Sequence, residues 1–237
     1  MLNQFSRTEL LIGKEGQEKL KNSKVAIFGI GGVGSYSVEA LARAGIGHLV
    51  LVDYDSYDIT NINRQLGAYH STIGKYKVEV MRERIQDINP DIMVEIYRPE
   101  EIEGEESSII DDTFSYVVDA IDTMKNKLEL IEKCNKENVK IISATGTGNK
   151  LDPTIFEVAD IYKTSVCPVC KMLRKELKAR NIKHLKVVYS REEAIKPLEE
   201  EYQENTPGKR STPGSVAFVP SVAGLIIASE VVKDIIK

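Results

Sequence analysis

Lys24-Val-Ala-Ile-Phe-Gly-Ile-Gly-Gly-Val-Gly34 decides the architecture of this chain. Val25, Ala26, Ile27 and Phe28 form an unbroken apolar run, as expected of a parallel strand covered on both faces. Gly29, Gly31, Gly32 and Gly34 follow at once, and an amphipathic helix pattern opens at Ser35 and runs to about Ala44. Leu49 to Val52 reads as a second buried strand ending in Asp53. Strand, glycine turn, helix, strand and acid form a nucleotide-binding order. Glycines let the backbone turn tightly and approach phosphates, the helix N-terminus offers unpaired N–H groups, and the acid is placed for a ribose hydroxyl. NAD is the usual partner of this pattern, so the rest of the chain must choose the nucleotide.

Beyond Asp53, Thr60-Asn-Ile-Asn-Arg-Gln65 leaves the carboxyl end of a strand, where open α/β sheets hold their ligands. A dehydrogenase needs only the ribose acid there. Asn61, Asn63, Arg64 and Gln65 add amides and a guanidinium that can orient and neutralise a polyphosphate, although such residues are also common in loops. Gly74-Lys-Tyr-Lys77 opens a helix through about Ile88. A cation at a helix start opposes the dipole, so Lys77 implies an anion close by. A strand over 92–97 and an acidic connection over 98–113 come next. The strand 115–120 runs into Asp119-Ala-Ile-Asp122-Thr123. Asp122 admits two readings, a helix N-cap or a carboxylate for the magnesium that accompanies ATP. After a helix to about Asn135 and a strand over 139–144, Thr145-Gly-Thr-Gly148 makes a second glycine turn facing the same cleft. Residues 24–150 therefore read as the nucleotide-binding core of a doubly wound, mostly parallel, Rossmann-like α/β sheet.

The C-terminal third departs from this alternation. A strand is expected over 155–161, and 151–215 reads as a substrate-facing insertion with a mobile loop over 205–214. A closing strand and helix follow over 216–237, so 1–237 is taken as a single domain. Lys171, Arg174, Lys175, Lys178 and Arg180 belong to a basic run extending to Arg191, which an acidic run over 192–204 offsets. The net charge of −4 therefore conceals a local basic face. That face reads either as a solvated helix or as a surface tracking nucleic-acid phosphates.

Cys167-Pro-Val-Cys170 supplies two thiols where a structural zinc site takes four ligands, so zinc is not expected. The pair is read as buried cysteines without chemistry. Arg7, in a charged helix over 5–22, reads as a surface arginine from the residues alone. Three cysteines form no disulfide framework, no apolar run reaches membrane-spanning length, and Met1 to Arg7 do not read as a signal peptide. A cytoplasmic setting is the expectation.

The ordered set GIGGVG, Asp53, TNINRQ, GKYK and DAIDT resembles the ThiF/MoeB/HesA superfamily of adenylating proteins, whose fold is shared with the activating enzymes of ubiquitin. The phrases FSRTELLIG, YKTSVCPVCKMLRKELK and GSVAFVPSVAGLIIASEVVK resemble its tRNA threonylcarbamoyladenosine dehydratase branch. The resemblance implies ATP and magnesium as cofactors and leaves a monovalent cation open. It implies phosphate contacts from the glycines, Asn61, Arg64 and Lys77, ribose contact from Asp53, and metal placement by Asp122. It also implies a homodimer in which Arg7 reaches the partner's site, so that the active sites are composite. The expected reaction is adenylation of a carboxylate on modified tRNA followed by ring closure. Two rivals stand beside it. One is adenylation of the C-terminal glycine of a sulfur-carrier protein, against which the single CxxC counts. The other is a nucleotide-binding adaptor for a sulfur-relay or tRNA complex.

Overall fold

The computed structural model describes residues 2–98, 105–198 and 213–237. Seven strands form one sheet in the order β3-β2-β1-β4-β5-β7-β6. They are β1 (Lys24–Phe28), β2 (His48–Val52), β3 (Met93–Tyr97), β4 (Tyr116–Asp119), β5 (Ile141–Ala144), β6 (Phe156–Asp160) and β7 (Lys186–Ser190). All neighbours pair in parallel except β6, which runs antiparallel to β7 at the edge. Strand order reverses between β1 and β4, so their carboxyl ends form the switch point where such sheets take ligands.

Six helices cover the sheet among the described residues: α1 (Ser6–Lys21), α2 (Gly34–Ala44), α3 (Lys77–Ile88), α4 (Met124–Glu137), α5 (Pro168–Ala179) and α6 (Phe218–Ile236). The four residues Val25 to Phe28 are fully buried, as an apolar run without alternation requires. The α6 helix lies along α2 at close range. A Cβ on Gly224 would stand 2.3 Å from the Val33 carbonyl oxygen, so only glycine permits that approach.

Two expectations for the C-terminal third are corrected. The basic run over 171–191 is not one segment. Its helix ends at Ala179, and Lys186–Ser190 crosses the sheet as β7 with Val187, Val188 and Tyr189 buried. The apolar stretch expected to give a closing strand opens α6 instead. Pro220 fits there because a first-turn residue has no helical partner for its missing N–H. Residues 199–204 of the acidic run and most of the loop over 205–214 fall outside the described residues, as does part of the connection over 98–113.

Candidate active site

The glycine turn is held from below by Asp53. Its Oδ2 accepts from the Ile30 N–H at 2.5 Å, and its Oδ1 accepts from the Asp55 N–H at 2.8 Å. Burial raises the Asp53 pKa, against the opposing pull of Lys77. The turn is pressed tightly onto the next strand end, since a Cβ on Gly29 would meet the Ala120 carbonyl oxygen at 2.7 Å. Gly31 is different: only the Gln65 Nε2, at 3.8 Å, stands near its Cβ position. This is the open part of the turn, where a phosphate can approach the backbone.

The segment after Asp53 folds back over the glycines. Asp58 caps the short 3-10 helix Ile59–Asn61 and exchanges hydrogen bonds with Asn61. The Leu66 N–H donates to Ser35 Oγ at 3.2 Å, which docks the segment onto the first turn of α2. Arg64 Cγ then lies 3.4 Å from the Cβ position of Gly32. The Arg64 guanidinium donates to the Thr60 carbonyl and to Asn63 Oδ1, both at 2.9 Å. It has no carboxylate partner among the described residues, and burial alone lowers its pKa. A half-buried guanidinium without a counter-ion, set against a glycine turn, is built to receive an anion.

Lys77 starts α3 as expected and is 5% exposed. Its Nζ donates to Asp55 Oδ2 at 2.7 Å and lies 3.8 Å from Asp53 Oδ1. The anion its position called for is thus supplied within the fold by Asp55 and Asp53. Asp122 is exposed, and Thr123, not Asp122, occupies the N-cap of α4. The Asp122 carboxylate accepts only from Thr123 Oγ1, at 3.2 Å, among the described contacts. An exposed carboxylate beside the β1–β4 switch point suits magnesium, which takes one or two carboxylates together with phosphate oxygens. No group of three or more His, Cys, Asp or Glu residues is arranged for a metal among the described residues.

A pair that the sequence reading left without a role supports this corner. Lys127 Nζ donates to Asp119 Oδ2 at 2.7 Å and to the Ala144 carbonyl at 3.1 Å, and both side chains are almost fully buried. The other Asp119 oxygen accepts from the Ile121 N–H at 3.1 Å. Asp119 therefore fixes the turn that presents Asp122. The eight-residue spacing to a lysine inside an otherwise amphipathic helix was the available signal.

The second glycine turn joins the same cleft through the C-terminal segment. The Gly214 N–H donates to Asn149 Oδ1 at 2.6 Å, and Asn63 Nδ2 donates to the Ser215 carbonyl at 2.9 Å. Asn63 thereby reaches from the phosphate side of the cleft to the returning chain.

The remaining candidates lie apart. Arg7 is exposed on α1. Nearby Phe5 packs 3.3 Å from the Cβ position of Gly45, the C-cap of α2, whereas the glycine turn precedes the other end of α2. An eleven-residue helix spans about 16 Å, so Arg7 stands far from its own chain's turn. On α5, Lys171, Lys175 and Lys178 share one exposed face with no ion-pair partner among the described residues. Arg174 instead turns inward to the Thr164 carbonyl at 3.1 Å and to the Thr164 hydroxyl. Arg180 is paired with Glu132 at 2.7 Å and with Glu176 at 2.6 Å. The part of the α5 cluster left without a described partner is therefore lysine.

Comparison with known proteins agrees with this geometry. The chain is 47% identical over 244 residues to the tRNA threonylcarbamoyladenosine dehydratase of Bacillus subtilis, covering 100% of this chain and 96% of that protein. It is 37% identical over 175 residues to the dehydratase of the same name from Escherichia coli, covering 74% of this chain and 65% of that relative. The crystal structure of the E. coli tRNA N6-threonylcarbamoyladenosine dehydratase in complex with ATP superposes with a TM-score of 0.83 at 31% identity, covering 98% of this chain and 93% of that one. The model of the ThiF family matches residues 5–237, and the chain belongs to the ThiF family.

Proposed function

We propose that this protein is an ATP-dependent tRNA threonylcarbamoyladenosine dehydratase. The observation that carries the reading is the convergence of the open glycine turn, Asp53, an Arg64 without a counter-ion among the described residues and exposed Asp122 at one switch point, in a chain aligned end to end with a named dehydratase. The carboxylate of the threonylcarbamoyl group attacks the α-phosphate of ATP, giving an acyl adenylate and pyrophosphate. A nitrogen of the same substituent then attacks the activated carbonyl, closing a ring and releasing AMP. The second step is intramolecular, so its effective concentration is high and no enzyme nucleophile is needed.

The residues divide the work of binding and charge neutralisation. The turn from Gly29 to Gly34 brings N–H groups to the phosphates, and Asp53 receives the ribose. Asn61, Asn63 and Arg64 orient the phosphate chain, with Lys77 exchanging Asp55 for phosphate oxygen. Asp122 is the residue suited to hold magnesium, which when bound neutralises charge on the phosphates.

The protein works as a homodimer with composite sites. Arg7 is placed away from its own turn, and Leu10 and Leu11 beside it are 86% and 88% exposed, an apolar surface suited to a second copy. The tRNA lies along the Lys171, Lys175 and Lys178 face of α5. A cytoplasmic location fits a tRNA substrate, and no described helix is long and apolar enough to cross a membrane.

Pyrophosphate–ATP exchange tests the reading. Exchange that requires tRNA bearing the threonylcarbamoyl group is the expected result. Exchange with a diglycine-ended carrier protein instead would replace the substrate. ATP binding without exchange in either case would leave an adaptor, with a sulfur-relay protein among its candidate partners.

A further inference from the structure

Cys167 and Cys170 have no part in the reaction above, and the sequence suggested no chemistry for them. The fold gives them positions that it did not suggest. Cys167 is the N-cap of α5 and Cys170 its third helical residue, so both lie in the first turn of one helix. The two thiols are near enough for each to shift the other's pKa. Cys170 Sγ is also 3.1 Å from Thr145 Oγ1. A Cβ on Gly146 would lie 2.6 Å from Cys167 Sγ, so the sulfur rests directly on the turn that follows β5.

The segment delivering Cys167 is strained. Val166 has φ 60, a conformation that a β-branched residue rarely adopts. The Cys167 N–H donates to the Ser165 carbonyl, two residues back, at 2.6 Å. Such strain persists where the surroundings over-determine it and is concentrated at functional positions. The electrostatics agree with the geometry. The Cys170 thiol holds the Cys167 pKa below the usual thiol range against the cost of burial, with Lys150 assisting, while Cys170 itself is pushed up. The two shifts run in opposite directions, Cys167 toward the thiolate and Cys170 toward the thiol, as in CxxC pairs at helix N-termini. Cys134, buried on α4, provides contrast: burial pushes its thiol up to about 12.

We propose that Cys167 and Cys170 form a reversible dithiol–disulfide couple on the wall of the nucleotide cleft, oxidised by small peroxides. The Cys167 thiolate attacks one oxygen of hydrogen peroxide, breaking the O–O bond to give a sulfenic acid and hydroxide, which is protonated to water. The Cys170 sulfur then attacks the Cys167 sulfur, losing its proton as the S–O bond breaks and a second water leaves. Two thiols are oxidised to one disulfide, and one peroxide is reduced to two waters. Cys167 is 2% exposed and Cys170 is fully buried, so the site selects a small oxidant over bulky disulfides. Closing the bond draws Cys170 away from Thr145, whose N–H and hydroxyl both keep the Val188 carbonyl as partner.

The full reduced chain is treated with hydrogen peroxide, denatured, alkylated and mapped by mass spectrometry. Cys167 and Cys170 lose alkylation together, at least about tenfold faster than Cys134, and dithiothreitol restores both. Cys170→Ala accumulates a dimedone-trappable sulfenic acid on Cys167, and Cys167→Ser leaves Cys170 unreactive. Equal rates at Cys134 and Cys167, or direct passage of Cys167 to sulfinic acid without a disulfide, would overturn the proposal. None of these readouts depends on which substrate is adenylated.

Discussion

A Cβ added to Gly34 would stand 1.8 Å from the carbonyl oxygen of Gly29, so the first residue of α2 sits directly on the residue that opens the turn. Gly31, three residues earlier, has open space at the same position apart from one amide nitrogen at 3.8 Å. These two glycines separate folding from binding. Gly34→Ala forces α2 away from β1 and is expected to destabilise the chain by about 3 kcal/mol or more, since backbone cannot yield as a flexible side chain would. Gly31→Ala leaves the melting temperature within a degree or two but weakens ATP binding at least about tenfold, because the new methyl occupies the phosphate approach. Thermal melts and ATP titrations on both variants check the contrast.

Arg7 is predicted to act across the dimer. Arg7→Ala and Asp122→Ala homodimers should each lose most adenylation activity. Mixing the two and allowing subunits to exchange should restore about a quarter of wild-type activity, since half the dimers are mixed and each mixed dimer has one complete site. No recovery after verified exchange would place Arg7 and Asp122 in the same chain's site.

The α5 surface makes a prediction about salt. Lys171, Lys175 and Lys178 face solvent, whereas Arg174 is engaged with Thr164 and Arg180 with Glu132 and Glu176. Replacing the three lysines by glutamine should weaken tRNA binding and reduce the log-log salt slope by about 2–3. ATP binding alone should be unchanged. Arg174→Gln should instead lower stability with a smaller effect on the slope. An unaltered slope in the lysine variant would mark α5 as a solvated face.

The buried pair Lys127–Asp119 is predicted to couple stability to the geometry around Asp122. Lys127→Met leaves the Asp119 carboxylate buried without its cation, which costs about 3–5 kcal/mol. Lys127→Met with Asp119→Leu removes both charges and should recover much of that loss. The Ile121 N–H loses its acceptor in the double variant, so ATP binding should still need more magnesium than in the wild type. Denaturant melts and magnesium titrations of ATP affinity separate the two effects.

Periodicity made the first two-thirds of the fold legible. The strands β1 to β5 announce themselves as short apolar runs, and their glycine and acidic ends define the carboxyl edge of the sheet. The placement of the candidate residues along that edge was legible for the same reason: Gly29 to Gly34, Asp53, Arg64 and Asp122 all follow a strand directly or fold back on one. The strand β7 was hidden because its apolar run, Val187-Val188-Tyr189, is only three residues long and lies inside a run of basic side chains. The start of α6 read as a strand because a short apolar run does not distinguish the two structures.

Sequence alone determined the nucleotide turn and the alternation that builds a parallel sheet, because both depend on local backbone freedom and side-chain period. Only the tertiary structure decided which charges remain available. It paired Lys77 with Asp55, Arg174 with Thr164 and Arg180 with two glutamates, left Arg64 without a counter-ion among the described residues, and set Cys167 against Gly146. Pairing and burial depend on neighbours distant in the chain, and a charge or thiol acquires its chemistry from those neighbours.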